Sequence, residues 1–559
     1  MNGDGFHNEP VRGSLLRDTL ARLSLLLRLE GKILSLIVSY AFTIGLFALV
    51  VPLTVQELVN TFAYAVQPIM IVTLTGIMAL TLVFIGGLKV LQTRAVEILV
   101  QRLYTRIALA FTQQLPRFKD ESFSPRYASY FFEAEFMPRA LVAMLVDLIN
   151  VSVYGMVGMT LLVFYHPYFL IYNFLLWTGF ITAIVVLSQG GLRITMKVND
   201  LHYQTVNWLQ DIADNMAHLK ATVSMPLLLR RTDELVHAYV KARKTRSDIL
   251  HRQYKGTMVW QALGHSGLIG IAGWLLSIGQ ITLGQFVASE VVVGTLLMGF
   301  DTVARRVYAM FYIFTSLSEL AFVFSHPKDM EPTKVSVPLP DPTLHGVRLT
   351  CDNVSFTYPN AETPVFHDFN VEVAPGEKVA IFSTSSTGKT TLTRLLAGLY
   401  TPTAGTVRYN DVDLRDLDMD SINSCRGLVL DSQISLIEAT LEENITLGRP
   451  SITYEDLRWA LRFVELEEEV DALPLGMKTP VRARGRGFST GQSLRILVAR
   501  AIITRPQVLI LDGTLHSMQP TTREVILRRL CSKEEPWSVV FVSNDPTLKA
   551  HVDRRLVLE

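Results

Sequence analysis

Long apolar runs separated by short polar intervals fill the first three hundred positions. Lysine and arginine are absent between Lys32 and Lys89, between Arg139 and Arg193, and between Lys255 and Arg305. Each of these windows, roughly 50 residues long, has room for two helices of about 20 residues and a short turn. The first reads ILSLIVSYAFTIGLFALVVPL and then IMIVTLTGIMALTLVFIGGL, with the polar stretch around residues 57–60 expected between the two. The second holds LVAMLVDLINVSVYGMVGMTLLVF and YFLIYNFLLWTGFITAIVVL, turning at His166 and Pro167. The third holds MVWQALGHSGLIGIAGWLLSI and FVASEVVVGTLLMGF, with Gly279, Gln280 and Gly284 between them. Six spans arranged as three hairpins follow. The turns carry no basic residue while the flanks do, so the positive-inside rule puts both termini on the cytoplasmic side.

Between the hairpins the periodicity stays helical, as in VEILVQRLYTRIALAFTQQL and LQDIADNMAHLKATVSMPLLLRRTDELVHAYVKA. The spacing predicts membrane helices that continue beyond the bilayer as rods. Before the first span, Leu15, Leu16, Leu20, Leu23 and Leu27 recur at helical spacing opposite Arg17, Arg22 and Arg28. That pattern reads as an amphipathic helix on the cytoplasmic membrane face within residues 1–31. Residues 32–325 form the expected transmembrane domain. Five prolines between Pro327 and Pro342 mark residues 326–346 as a linker.

From Val347 to the last residue the pattern changes to short β-branched runs alternating with helical segments, which predicts an α/β domain over residues 347–559. The strand KVAIF leads into STSSTGKTT and then a helical TRLLAGLY. A strand, a loop and a helix N-terminus in that order form a P-loop, because backbone amides must wrap the phosphates. Ser383, Ser386, Thr387, Gly388, Lys389, Thr390 and Thr391 are its candidate nucleotide-binding residues. Lys389 would reach the β- and γ-phosphates, and Thr390 would ligate magnesium. A second strand, VLILD, ends in Asp512, suited to the magnesium shell. Tyr358 in VSFTYP offers an aromatic platform for an adenine ring.

Six spans with long extensions, a linker and this motif order resemble a half-transporter of the ABC exporter superfamily across essentially the whole chain. The fold implied is an all-α six-helix transmembrane domain plus a cytosolic α/β nucleotide-binding domain of the P-loop NTPase type. The cofactors implied are ATP and Mg2+. In that family the P-loop of one cassette and the signature sequence of another sandwich ATP across a dimer. The signature here is Phe488, Ser489, Thr490, Gly491 and Gln492. Coupling helices, which pass cassette closure to the membrane helices, would lie near residues 124–135 and 213–224. The stretch VVPLTVQELVNT is similar to bacterial exporters that work with a periplasmic adaptor protein, which makes an adaptor a candidate partner. Membrane lipid and a second half-transporter, identical or different, are the other expected partners. The expected location is the bacterial inner membrane, with the cassette in the cytoplasm.

The departures from the family pattern carry as much information. Ser383 and Ser386 stand at two of the three P-loop glycine positions, leaving Gly388. Gly513 follows Asp512 where the family has the glutamate that activates water, and it offers no proton acceptor. Asn544 stands at the switch-histidine position and Ser432 at the Q-loop glutamine position, with Asp431 and Gln433 beside it. Ala483 replaces the glutamate before the signature, and the loop after Asp512 reads HSMQ over residues 516–519. No intact catalytic residue remains. The expectation is a site that binds Mg–ATP, hydrolyses it very slowly or not at all, and is completed in a dimer. Two other functions fit the same residues: a nucleotide-binding membrane regulator or scaffold without transport, and a self-sufficient homodimeric exporter.

Composition agrees with a two-part chain. Of 559 residues, 49% are hydrophobic and 18% charged, and the net charge is +1. The mean hydropathy of +0.30 excludes both a purely soluble enzyme and a disordered chain. The charge balance makes nucleic acid a poor partner. Cys351, Cys425 and Cys531 form no CxxC pair, so neither a disulfide scaffold nor a Cys-built zinc site is expected, and no metal beyond magnesium. Inside the spans, Asp147, His265 and Glu290 are candidates for a substrate path, because intramembrane ionisable groups are functional by default.

Overall fold

A computed structural model describes residues 28–64, 68–118, 125–222, 225–325, 346–358, 361–383, 388–417, 419–430, 435–482, 485, 487–513, 515 and 517–558. The chain divides into two compact units. One comprises Met1–Pro116 and Ser124–His326; the other comprises Arg117–Phe123 and Pro327–Glu559.

The first unit is helical: α1 (Gly31–Ala48), α2 (Val50–Tyr64), α3 (Pro68–Gln114), α4 (Glu133–Tyr165), α5 (Tyr168–Leu187), α6 (Gly191–Asp214), α7 (Met216–Thr222), α8 (Met225–Ser277) and α9 (Leu283–Ser325). Among the described residues five helical stretches are long and apolar enough to cross a membrane: Gly31–Ala63, Pro68–Gln114, Ser129–Tyr165, Tyr168–Leu187 and Leu283–Ala321. The sixth expected span lies in α8, which has the length but falls short in apolarity. Its glycines at 264, 267, 270 and 273 and its polar Gln261, His265 and Ser266 dilute the hydrophobic signal. The first turn also differs from expectation. Residues 57–60 are helical within α2, and residues 65–67, which precede α3, lie outside the described residues. The break between α1 and α2 instead follows from Pro52, whose ring collides with the carbonyl four residues back, at Ala48.

With 47 residues, α3 is about 70 Å long, more than twice the ~30 Å hydrocarbon core. The 53 residues of α8 and the 43 of α9 likewise exceed a bilayer. Glycines let these helices approach closely. Gly179 lies directly under the Trp260 ring, and a Cβ on Gly155 would meet Trp177 at 2.7 Å. Trp260 Nε1 donates to the Leu176 carbonyl at 3.0 Å, and Phe180 stacks on Phe300 at 3.9 Å. The amphipathic segment expected before the first span, and the proline-rich linker, fall almost wholly outside the described residues.

The second unit holds β1 (Leu349–Phe356), β2 (Phe366–Val373), β3 (Lys378–Ser383), α10 (Lys389–Leu396), β4 (Ala404–Tyr409), β5 (Val412–Asp413), α11 (Met419–Cys425), β6 (Arg426–Leu430), β7 (Ala439–Thr440), α12 (Leu441–Thr446), α13 (Tyr454–Phe463), α14 (Glu467–Asp471), β8 (Pro480–Val481), α15 (Thr490–Ile502), β9 (Val508–Asp512), α16 (Pro520–Leu530), β10 (Ser538–Val542) and β11 (Arg554–Leu558). A parallel sheet runs in the order β11-β3-β10-β9-β6, and an antiparallel one in the order β2-β1-β4-β5. The central strands β9 and β10 are buried on both faces, as parallel strands covered by helices require. Leu509, Leu511, Val539 and Phe541 pack toward α13, α15 and α16. Alternate residues Val508, Ile510, Val540 and Val542 pack toward α10 and the antiparallel sheet.

Candidate functional site

Ligands of open parallel sheets bind beyond the carboxyl ends of the strands. Strand register brings the candidate residues to that edge. Val542 lies opposite both Ile381 and Asp512, and Asp512 lies opposite Leu430. The Ser543 N–H donates to the Ile381 carbonyl at 3.1 Å, and the Gly513 N–H donates to the Val542 carbonyl at 3.0 Å. The ends of β3, β10, β9 and β6 are thereby held level. Ser383, Asn544, Asp512, Gly513 and Leu430 share one edge, although 160 residues separate the outermost of them in sequence.

On the P-loop side, Ser383 ends β3 and residues 384–387, including Ser386 and Thr387, lie outside the described residues. Gly388 caps α10 with φ +95°, and a Cβ there would meet Phe366 at 2.8 Å. Only glycine suits both the positive φ and the close ring. Lys389, Thr390 and Thr391 form the first turn of α10, where backbone N–H groups face an anion. The Tyr358 hydroxyl is 2.7 Å from Thr391 Oγ1, and its ring packs edge-on against Phe356 and Tyr400. Tyr358 therefore stands beside the P-loop helix, half-buried, with its polar end already engaged.

Asp512, 7% exposed, closes β9, a strand against which α10 packs. A carboxylate and a threonine hydroxyl are hard oxygen donors, a set that suits Mg2+. Gly513 has φ +61°, and Asn544 is exposed. Ser432, Asp431 and Gln433 lie outside the described residues.

The signature residues open α15. Ser489 is its N-cap: its Oγ accepts from the Gln492 N–H at 3.2 Å, and Gln492 Oε1 accepts from the Ser489 N–H at 2.8 Å. Together these form a reciprocal capping box, the S-x-x-Q pattern at a helix start. Gln492 Nε2 also donates to Glu469 Oε2 at 2.8 Å, and Arg495 donates to Glu469 Oε1 at 2.7 Å. Partial burial pushes the Glu469 carboxyl up, but these two donors outweigh it and hold it below the ordinary carboxylate range. Thr490 is exposed, and Phe488 packs half-buried against the core. At Gly491 a Cβ would sit 3.2 Å from the Ser517 carbonyl.

Sequence reasoning missed Arg500, eight residues beyond Gln492. Its guanidinium donates to the carbonyls of Asn444 at 2.6 Å and Ser435 at 2.9 Å, and to Asn444 Oδ1 at 3.0 Å. It ties α15 to α12 and to the chain just after Ser432. Burial, with Arg449 nearby, brings its guanidinium down to about 10. No spacing rule pointed to this long-range contact.

In the membrane unit, Asp147 pairs with Arg306 at 2.9 Å, away from the other two candidates. His265 Nδ1 and Glu290 Oε1 are 3.0 Å apart, linking α8 to α9, with each side chain about two-fifths exposed (41% and 39%). Of the expected coupling segments, residues 125–132 form a 3-10 helix and α7 covers most of the second.

Comparison with known proteins gives the class. Residues 366–516 match the ABC transporter family. An ABC transporter domain is thus joined to a mostly helical membrane domain in a multi-pass membrane protein. A bacterial Atm1-family ABC exporter with ATP bound shares the fold over 94% of each chain, with a TM-score of 0.84 and 19% identity. Sequence relatives are ATP-binding/permease proteins. A multidrug efflux ATP-binding/permease protein of Mycobacterium tuberculosis is 36% identical over 259 residues, 45% of this chain and 20% of the relative. A probable multidrug resistance ABC transporter protein of Bacillus subtilis is 26% identical over 299 residues, 53% of this chain and 50% of the relative. An ATP-dependent lipid A-core flippase of Chromobacterium violaceum is 30% identical over 217 residues, 39% of this chain and 37% of the relative. The match spans between a fifth and a half of these relatives' own lengths.

Proposed function

We propose that this chain is one half of an ATP-driven exporter, and that the ATP site built on its own P-loop binds Mg–ATP but hydrolyses it very slowly. The observation that carries this is the end of β9, where Asp512 is followed by Gly513 and no carboxylate follows the magnesium-binding position. Hydrolysis needs a group that orients and deprotonates water, and neither Gly513 nor Asn544 can accept a proton in that role. Binding groups remain. Lys389 supplies positive charge, the α10 N-terminus supplies N–H donors, and Thr390 and Asp512 would hold magnesium. Bound magnesium would neutralise phosphate charge.

The partner is a second half-transporter with an intact cassette, whose site this chain's Ser489 and Gly491 complete across the dimer. The positive-inside pattern supports a cytoplasmic cassette, and the bacterial relatives support an inner-membrane location for the membrane unit. The relatives named for multidrug efflux and lipid flipping make a hydrophobic or amphipathic substrate the natural class.

The test is magnesium-dependent ATP binding and turnover by the purified full chain. Tight binding lost in Lys389→Ala, with turnover well below about 1 per second, is expected. Sustained turnover by the chain alone that vanishes in Lys389→Ala would sink the impaired-site reading and leave a self-sufficient homodimer.

A further inference from the structure

Two carboxylates, one buried and one half-buried, lie where α4, α6 and α9 meet, at the end of the helical unit away from the hairpin turns. Glu133, 4% exposed, begins α4. Its Oε1 accepts from the Tyr203 hydroxyl at 2.7 Å, and its Oε2 accepts from the Tyr312 hydroxyl at 2.6 Å and from Ser316. Tyr312, Ser316 and Glu319 fall at i, i+4 and i+7, on one face of α9. Glu319 Oε1 accepts from Asn199 Nδ2 at 2.6 Å, while its Oε2 is buried with no hydrogen-bond partner. Neither carboxylate makes an ion pair among the described residues. The titratable groups facing Glu319 and its partners are Glu133 from α4, Asp200 and Tyr203 from α6, and Tyr312 and Tyr308 from α9. His202 of α6 lies against the Tyr203 ring at 5.6 Å, and Arg246 of α8 lies over the Tyr308 ring at 4.8 Å.

The hydrogen bonds distinguish the two acids. Three hydroxyl groups converge on Glu133 and satisfy both of its oxygens. Glu319 has one amide donor, one bare oxygen and two acidic neighbours, an environment that penalises a charge far more than a neutral acid. Counting back along α9, Glu319 lies 19 residues, about 29 Å, past Phe300 at the end of the apolar stretch. The pair therefore sits in the helical extension, where solvent pH can reach it.

We propose that Glu319 is held in its protonated form, and that this neutral acid keeps α4, α6 and α9 braced in the present conformation. Tyr130, in the 3-10 segment just before α4, packs on Tyr203 at 4.7 Å, so the brace is continuous with the first coupling segment. Loss of the proton puts a charge on a carboxyl with one amide donor and an inaccessible bare oxygen, and separating the helices lets water reach it. The sign follows from linkage. The braced form binds one more proton than the opened form, so opening becomes easier as pH rises, by about tenfold per pH unit while the proton is being lost.

This does not depend on the exporter reading, because the readout needs no transport. The full chain in lipid nanodiscs is followed by hydrogen–deuterium exchange from pH 6 to pH 9, corrected for intrinsic exchange, at residues 129–137 and 312–321. Protection that falls by about tenfold per pH unit in the wild type, and stays high and level in Glu319→Gln, is the expected result. A wild type with level protection, or a Glu319→Gln variant with the wild-type slope, overturns it. Should Glu319→Gln be unprotected at every pH, Asp200→Asn decides. Removal of that facing charge lets Glu319 lose its proton at lower pH, so protection must level off sooner and fall less in total, and an unchanged profile overturns the brace.

Discussion

Replacing Gly513 with glutamate returns a carboxylate to the position after Asp512, but the backbone there resists it. Gly513 has φ +61°, in the left-handed region, and its N–H is held by the Val542 carbonyl at 3.0 Å. An L-residue in that region costs about 1–2 kcal/mol, and the tie to β10 prevents the backbone from rotating freely away. At about 1.4 kcal/mol per tenfold, that strain is worth roughly 5- to 30-fold in the population of the competent geometry. A Gly513→Glu, Asn544→His double variant supplies both missing groups. Its expected turnover, measured as magnesium-dependent phosphate release, exceeds that of the wild type but stays roughly tenfold or more below a typical 10 per second. Its cassette should also melt a few degrees lower by differential scanning fluorimetry, about 2–4 °C per kcal/mol for a domain this size. Turnover near 10 per second with an unchanged melting temperature would refute the strain argument.

Other expectations follow from packing and burial. Gly179→Ala drives a methyl group into the Trp260 ring, so it should destabilise the helical unit by about 1–3 kcal/mol, seen as earlier thermal loss of helicity in nanodiscs. Arg500→Ala removes three charged hydrogen bonds and should cost the cassette about 2–3 kcal/mol, lowering its melting temperature while Lys389 is untouched. Burial pushes the thiols of Cys351 and Cys531 up to about 12 and that of Cys425 up to about 11. Thiolate is the reactive form, so alkylation at pH 7.5 should be slow at all three and rise with pH. Cys531, the one not fully buried, should react first in a mass-spectrometric time course.

The hairpins were legible because membrane helices and basic flanks are written in composition, which needs no partner to be read. The P-loop strand and helix were legible because they rest on local spacing. What escaped were features set by distant neighbours. Residues 57–60 look like a turn by polarity, yet Asn60 Oδ1 accepts from the Gly284 N–H at 3.1 Å, a contact 224 residues away that keeps them useful inside α2. The α8 span is masked by glycines that serve packing. Tyr358 reads as a free platform until Thr391 is placed beside its hydroxyl. Glu133 and Glu319 have no motif; only the meeting of three helices puts them together.

The length of α3 has a mechanical consequence. A continuous helix of about 70 Å behaves as a lever arm, and a tilt of about 5° about one end carries the other end about 6 Å, roughly one helical pitch. Angular changes too small to disturb side-chain packing near the pivot become displacements as large as a side chain at the tip. Stiffness along the helix, rather than any single contact, sets how faithfully movement at one end is reproduced at the other.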